Sequence, residues 1–304
     1  MNSQVARRKR GTWGKVFSLL MAVVMFTGSY YVAQANNMIG KITGSNYKVD
    51  KMVVAVRADD SAETIEDAAD YTYGVQFEKG ADNIQTAVAD IEKQVGVDTI
   101  EVKEYDSVQD QAQALIDGDC DAIIYNSAYT SLMEEAVDGY SDKVKVLYTF
   151  NIRVELDFGN STGATDDSII KEPFTVYISG IDVYGDVSET SRSDVNIIAV
   201  VNPQTHQILL VTTPRDYYVP IPKISGGQRD KLTHAGIYGV DASMRTLGEL
   251  YETDINYYAR LNFTSLIDIV DTLGGIDVYS EYAFTTSEDS EHVMDVQEGY
   301  NHFN

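Results

Sequence analysis

Phe174-Thr-Val-Tyr-Ile-Ser-Gly180-Ile-Asp182 decides how the second half of this chain is read. Phe174 to Ser179 is built from β-branched and aromatic residues, and Gly180 ends the run, so a strand closing on an acid is expected. Two more strands follow, Val195 to Val201 and Gln207 to Thr212. Between them Asn202-Pro203-Gln204-Thr205-His206 reads as a hairpin turn. Each strand meets charge at one end: Asp182 after the first, Arg192-Ser193-Asp194 before the second, Pro214-Arg215-Asp216 after the third. Further on, the spacing predicts a helix over Leu232 to Tyr251, a strand over Tyr257 to Asn262 and a helix over Phe263 to Leu273. Gly274-Gly275 ends that last helix and returns the chain into a strand, Ile276 to Tyr279.

Upstream, Asn160 to Lys171 is rich in Ser, Thr, Gly and Asp before Pro173 and marks a domain boundary. Ahead of it, strands are expected at Met52 to Val56, Ile100 to Tyr105, Cys120 to Tyr125 and Val144 to Phe150. Helices are expected between them, one on Ile84, Val88, Ile91 and Val95, one opened by Ser107, and one ending near Val137. Strand–helix alternation of this kind predicts a small accessory α/β domain over 48–155 with a largely parallel sheet. No ligand motif is visible there, and a spacer or interaction role is expected. A second α/β domain, with a mixed central sheet flanked by helices, occupies 172–304. The lone cysteine, Cys120, has no internal disulfide partner and reads as a small buried hydrophobe.

At the amino end, Arg7, Arg8, Lys9, Arg10 and Lys15 precede an apolar stretch, Val16 to Ala35, free of charge. Twenty helical residues reach about 30 Å, the thickness of a bilayer core. The basic flank favours a cytoplasmic tail over 1–15, a spanning helix over 16–35, and a body on the outer side. Ala33-Gln34-Ala35 also fits a leader-peptidase site. Either reading exports the rest of the chain. The formal net charge is −24, and the five basic residues of the first 15 stand apart from a still more acidic body. Nucleic-acid binding rests on cationic neutralisation of phosphates, so a nucleic-acid partner is excluded for that body.

On spacing alone, Asp182, Arg192, Asp194 and Arg215 can converge at strand ends, where ligands of α/β sheets collect. Two carboxylates and two guanidinium forks suit a magnesium-bound pyrophosphate. Acids and arginines beside strand ends are more often surface ion pairs, and spacing alone favours that reading. Asp216 fits an acid orienting Arg215 or a turn cap. Lys231 fits a phosphate contact or a solvated helix start. His234, with no acid partner evident in the sequence, is expected to be a packed histidine. Phe263, Leu266, Ile267 and Val270 form one apolar stripe and Leu247, Leu250 and Tyr251 another, each fitting either a lipid pocket or ordinary core.

These segments, together with Lys231-Leu-Thr-His-Ala235, Tyr238-Gly239, Tyr257-Tyr258, Asn262-Phe263 and Val270-Asp-Thr-Leu-Gly-Gly275-Ile-Asp-Val278, hold their order over roughly 110 residues. They resemble the LytR-CpsA-Psr family, and the domain ahead of them resembles the accessory region of capsule-associated, CpsA-like members. The resemblance implies a membrane-anchored extracytoplasmic phosphotransferase of Gram-positive cell wall and capsule assembly. Such proteins move a glycopolymer from a polyprenyl-pyrophosphate carrier onto peptidoglycan, with the capsule machinery as a further partner. Carried over, Asp182 and Asp194 become ligands of Mg2+, with Mn2+ as its substitute, and Arg192 and Arg215 clamp the pyrophosphate with help from Lys231. Phe263, Leu266, Ile267 and Val270 are the candidates for the lipid pocket, and the amino-terminal helix becomes a retained anchor. The family pattern continues into a later arginine-bearing helix, so the chain is expected to be a fragment. Two other readings of the same residues are a non-catalytic, carrier-binding regulator of capsule synthesis and a polyprenyl-pyrophosphate hydrolase.

Overall fold

The computed structural model describes residues 2–42, 46–76, 81–158, 171–286 and 293–303. The chain divides into two compact units, Met1–Thr43 with Phe263–Asn304, and Gly44–Asn262. Of the predicted boundary loop, Asn160 to Lys171, all but Lys171 lies outside the described residues.

The first unit opens with helix α1, Asn2–Ile42. Its stretch Trp13–Gly40 is longer than the expected 16–35 and contains an 18-residue window with a mean hydropathy of 1.8, none of which is buried. That length and composition suffice to cross a bilayer.

The second unit begins with the accessory sheet. Its strands are β1 (Tyr47–Arg57), β2 (Thr72–Val75), β3 (Glu101–Glu104), β4 (Ala122–Asn126) and β5 (Val144–Glu155), ordered β3-β2-β4-β1-β5. The sheet is mixed, which corrects the largely parallel expectation. β2 runs parallel to β3 and β4, but β1 lies antiparallel to both β4 and β5. The sequence reading missed β2, a four-residue strand centred on Tyr73-Gly74. Gly74 is needed where it stands, because a Cβ there would come within 3.0 Å of the Cys120 sulfur and 2.9 Å of the Tyr105 ring.

The two central strands are buried on both faces, so each successive residue feeds a different core. Met52, Val54 and Val56 pack with Ile84, Ala87 and Ile91 of α2 (Ala81–Val95). Val53 and Ala55 pack with Ala112 and Leu115 of α3 (Val108–Asp117) and Met133 of α4 (Thr130–Ala136). A short α5 (Tyr140–Lys143) leads into β5. Ser107 caps α3 through the Asp110 N–H at 3.0 Å, and Gly118 ends it in the left-handed region at φ 77°.

The same unit holds a second mixed sheet of β6 (Phe174–Gly180), β7 (Val195–Asn202), β8 (Gln207–Thr213) and a fourth strand that follows a hairpin and two helices. A small hairpin of β9 (Tyr218–Pro220) and β10 (Arg229–Lys231) follows β8. The predicted helix over Leu232 to Tyr251 is two helices, α6 (Leu232–Ala235) and α7 (Val240–Tyr251). Gly239, at φ 123°, breaks it in a conformation that side chains rarely adopt. β11 (Tyr257–Leu261) then returns parallel to β6, giving the order β11-β6-β7-β8. Tyr177, Ile198, Leu232, Val240, Met244 and Leu247 form the core between this sheet and α7. Leu247 and Leu250 therefore belong to ordinary core.

In the first unit, α8 (Phe263–Leu273) precedes β12 (Ile276–Ser280), and two-residue strands β13 (Phe284–Thr285) and β14 (Asp295–Val296) pair with each other. β15 (Gly299–Phe303) pairs antiparallel with β12.

Candidate active site

The site residues gather where β6 ends and β7 begins. Gly180 faces Val195 across the antiparallel ladder, and the Asp194 N–H donates to the Gly180 carbonyl at 2.8 Å. A Cβ on Gly180 would come within 2.8 Å of the Val195 Cβ, so glycine permits this close crossing. Asp182, two residues past the strand, is exposed, and its carboxylate has no partner among the described residues. Asp194 is brought to the same sheet edge.

Arg215, at the end of β8, reaches Asp194: its Nη1 lies 3.0 Å from Oδ1. Asp216, expected to orient Arg215, is more distant at 3.8 Å from Nε. The closer carboxylate is that of Asp194. The first turn of α6 ties these segments together. The Thr233 hydroxyl donates to Asp194 Oδ1 at 3.2 Å, the Thr233 N–H donates to the Arg215 carbonyl at 2.9 Å, and the Thr233 carbonyl accepts from the Ser193 N–H at 3.1 Å. Gly236 makes this packing feasible, since a Cβ there would sit 2.6 Å from the Ser193 nitrogen. Arg192 is partly buried and makes no hydrogen bond or ion pair among the described residues.

Beneath the loop lies a buried polar cluster that sequence reasoning did not single out. The Tyr177 hydroxyl donates to Asn196 Oδ1 at 2.6 Å and meets Ser193 Oγ at 2.8 Å. Ser179 Oγ lies 2.8 Å from the same Ser193 oxygen. Burial raises the Tyr177 pKa, keeping the phenol a neutral donor. Such a network, once satisfied, fixes the backbone that carries Arg192 and Asp194.

Arg260 is the second residue missed. It is 4% exposed, and burial brings its pKa down to about 10. Its Nη1 donates to the Val187 carbonyl at 2.8 Å, inside the loop 183–191 that separates the two candidate metal ligands. That loop leans on accessory strand β1: the Val49 N–H donates to Ser188 O at 2.8 Å, and the Thr190 N–H donates to Val49 O at 2.9 Å. The only signal in the sequence was phase, because Arg260 shares a strand face with Tyr258.

Lys231 pairs with Glu135 at 3.0 Å, and both are part-exposed. His234 is buried as expected, but it does have an acid partner. Its Nδ1 lies 2.8 Å from Oδ1 of Asp230, four residues earlier on β10. Burial acts to raise the Asp230 carboxyl, but the His234 contact and the Lys231 N–H outweigh it, leaving the pKa below the ordinary value. In α8, Phe263, Leu266 and Ile267 are exposed at 43%, 50% and 55%, and Val270 is partly buried, so this stripe is not closed core.

A magnesium ion asks for hard oxygen ligands, often only one or two carboxylates, with water and substrate phosphate completing the shell. Asp182 and Asp194 fit that donor set. Among the described residues, no group of three or more His, Cys, Asp or Glu side chains forms a closed metal cage. The pair suits an ion shared with a phosphate and does not suit a structural ion.

The LytR_cpsA_psr family model matches residues 130–304, more than half of the chain, and the chain belongs to that family. The match begins within α4, well upstream of the motifs that first suggested it. A second model, described as a DNA polymerase processivity factor, matches residues 8–125, less than half. Over 117 residues the chain is 40% identical to a polyisoprenyl-teichoic acid–peptidoglycan teichoic acid transferase, TagU, of Enterococcus faecalis, covering 38% of each protein. It is 36% identical over 127 residues to TagU of Bacillus cereus, covering 41% of this chain and 40% of that one. The chain thus spans about two fifths of the length of these curated relatives. Among solved structures, it resembles YwtF (TagT) with bound octaprenyl pyrophosphate lipid, at 28% identity and a TM-score of 0.38, covering 48% of this chain and 57% of that one.

Proposed function

We propose that this protein is a membrane-anchored phosphotransferase that moves a glycopolymer from a polyprenyl-pyrophosphate carrier to peptidoglycan, in wall or capsule assembly. The observation that carries the reading is the meeting of Arg215 with Asp194 at the sheet edge shared by Arg192 and Asp182. Family membership and the names of the TagU relatives support it.

Arg192 and Arg215 bind the pyrophosphate, their planar forks matching phosphate oxygens. Asp182 and Asp194 would hold magnesium, or manganese in its place, which when bound neutralises charge on the phosphates. An acceptor hydroxyl of peptidoglycan attacks the phosphorus that bears the polymer. The new phosphorus–oxygen bond forms as the bond to the polyprenyl phosphate breaks, and that phosphate leaves. The arginines stabilise charge growing on it, and no covalent enzyme intermediate is required. Lys231 adds a phosphate contact if its bridge to Glu135 opens. The exposed stripe Phe263, Leu266 and Ile267, with Val270, serves the polyprenyl tail.

The apolar stretch Trp13–Gly40 acts as a single-pass anchor, with the basic tail inside and the body outside. A reporter fused after Asn304 should be active only on the outer side of the membrane; activity in the cytoplasm would overturn that placement. For the chemistry, the protein is mixed with lipid-linked polymer and peptidoglycan. Polymer joined by a phosphodiester, with one polyprenyl phosphate released per transfer, supports the reading. Release of the lipid phosphate without joining would make it a hydrolase, and binding without release a regulator.

A further inference from the structure

The accessory domain was expected to be a spacer, yet where it meets the second domain, within the unit Gly44–Asn262, lies a cavity with a polar lining that the proposed chemistry does not use. The cavity has a volume of about 170 Å³ and is lined by Asp50, Gln111, Asn126, Tyr129, Ile224 and Tyr238, among others. Asp50 on β1 and Gln111 on α3 are 1% and 0% exposed. Buried polar side chains are costly to keep unless their atoms are satisfied, so their arrangement calls for an explanation.

The carboxylate of Asp50 is well supplied. Lys48 Nζ lies 3.1 Å from Oδ1, which also accepts from the Thr190 hydroxyl, and Asn83 donates to Oδ2. Gln111 is only half satisfied. Its Nε2 donates to the carbonyls of Gly74 at 2.9 Å and Ile124 at 2.8 Å, and its Oε1, fully buried, has no hydrogen-bond partner. Asn126 complements it. Its Oδ1 accepts from the Ala128 N–H at 3.0 Å, and its Nδ2 makes no hydrogen bond among the described residues. Gln111 and Asn126, both in the lining, thus leave one acceptor and one donor unfilled. The rings of Tyr129 and Tyr238 form an aromatic wall, 6.3 Å apart and edge to face. Burial, with Tyr238 and Asp50 nearby, pushes the Tyr129 hydroxyl pKa up, so it too remains a neutral donor.

The lining restricts the ligand. An anion would meet the Asp50 carboxylate, and the nearby cation, Lys48, is already paired with it. A metal would find a single carboxylate. A purely apolar molecule would leave Gln111 Oε1 unsatisfied. A hydroxyl group both donates and accepts, and so answers Gln111 and Asn126 together. A saturated ring bearing hydroxyls also offers an apolar C–H face to the tyrosines. The volume lies below the roughly 300–1,000 Å³ of sites for drug-sized ligands, which limits the occupant to a single ring.

We infer that the cavity formed where the accessory domain meets the second domain binds one neutral, hydroxylated ring of monosaccharide size between Gln111, Asn126, Tyr129 and Tyr238. This assignment does not depend on the phosphotransferase reading. The occupant is either a free sugar or the terminal unit of a glycan chain, and the two are separable.

The full chain in lipid nanodiscs would be titrated by saturation-transfer NMR with glucose, galactose, N-acetylglucosamine and rhamnose, and with their methyl glycosides. At least one should bind at a single site with a Kd of about 1–10 mM, as expected for about a dozen heavy atoms. Binding of a methyl glycoside identifies a chain end, and binding of the free sugar alone identifies a monosaccharide. Ile224→Trp, which narrows the cavity, and Tyr238→Ala, which removes half of the aromatic wall, should each weaken binding at least tenfold while the circular dichroism spectrum is unchanged. Arg215→Ala should leave it intact. No binding by any probe at ten times that concentration overturns the assignment. So does binding that Arg215→Ala abolishes, or that both cavity variants retain.

Discussion

Asp194 holds Arg215 across the sheet edge with its Oδ1 3.0 Å from Nη1, although 21 residues separate them. Arg215 is half exposed, and an ion pair so open to water contributes only about 0–1 kcal/mol to stability. Its effect is to aim the guanidinium. Arg215→Ala should therefore weaken carrier binding by about 2–4 kcal/mol, while the melting temperature barely moves. Arg215→Lys should recover only part of that loss, because lysine keeps the charge without the fork. Titration of polyprenyl pyrophosphate against the three proteins checks this, and full recovery by lysine would remove the forked contact.

Arg260 predicts the opposite balance. Buried and donating to the Val187 carbonyl, it is a support for the loop 183–191. Arg260→Met removes a charge-assisted hydrogen bond inside the protein and should cost about 1.5–3 kcal/mol of stability. Hydrogen exchange at the Val49 and Thr190 amides, which tie that loop to β1, should quicken in the variant. Unchanged exchange there would mean that the loop is held by other contacts.

The Asp230–His234 contact carries a pH signature. The folded-state pKa of Asp230 is lowered, so the stabilisation is complete above the ordinary aspartate value of about 3.9 and is lost as pH falls through the lower folded value. Thermal melts should then show Asp230→Asn costing more at about pH 6 than at about pH 2.5. An equal cost at both would assign the effect to packing.

Much of this was legible from periodicity and punctuation. Phe174, Val195 and Gln207 each open the strands that their runs of β-formers indicate, and Gly274-Gly275 closes α8 where expected. The failures have physical causes. β2 is only four residues long, and its Gly74 looks like a breaker until the crowding around it is seen. The direction of β1 was hidden because parallel and antiparallel central strands, buried on both faces, share one apolar pattern. Asp182, Arg192, Asp194 and Arg215 were visible as charges at strand ends, but their supports were not. Thr233, Ser193, Asn196 and Arg260 act through hydrogen bonds between segments distant in sequence, and no spacing rule encodes those. Asp230 was within reach, since it stands only four residues before His234.

The account rests on Asp182 and Asp194 serving together at a phosphate. Both change to asparagine with little change in shape, and Asp182 has no partner whose loss would unfold the chain. Magnesium-dependent transfer of a lipid-linked glycopolymer to peptidoglycan is the measurement, made on Asp182→Asn, Asp194→Asn and the unaltered protein. The prediction is a loss of at least about 10²–10³ in rate for each variant, with the fold retained. Transfer by both variants at the unaltered rate, in the presence of EDTA, would contradict it.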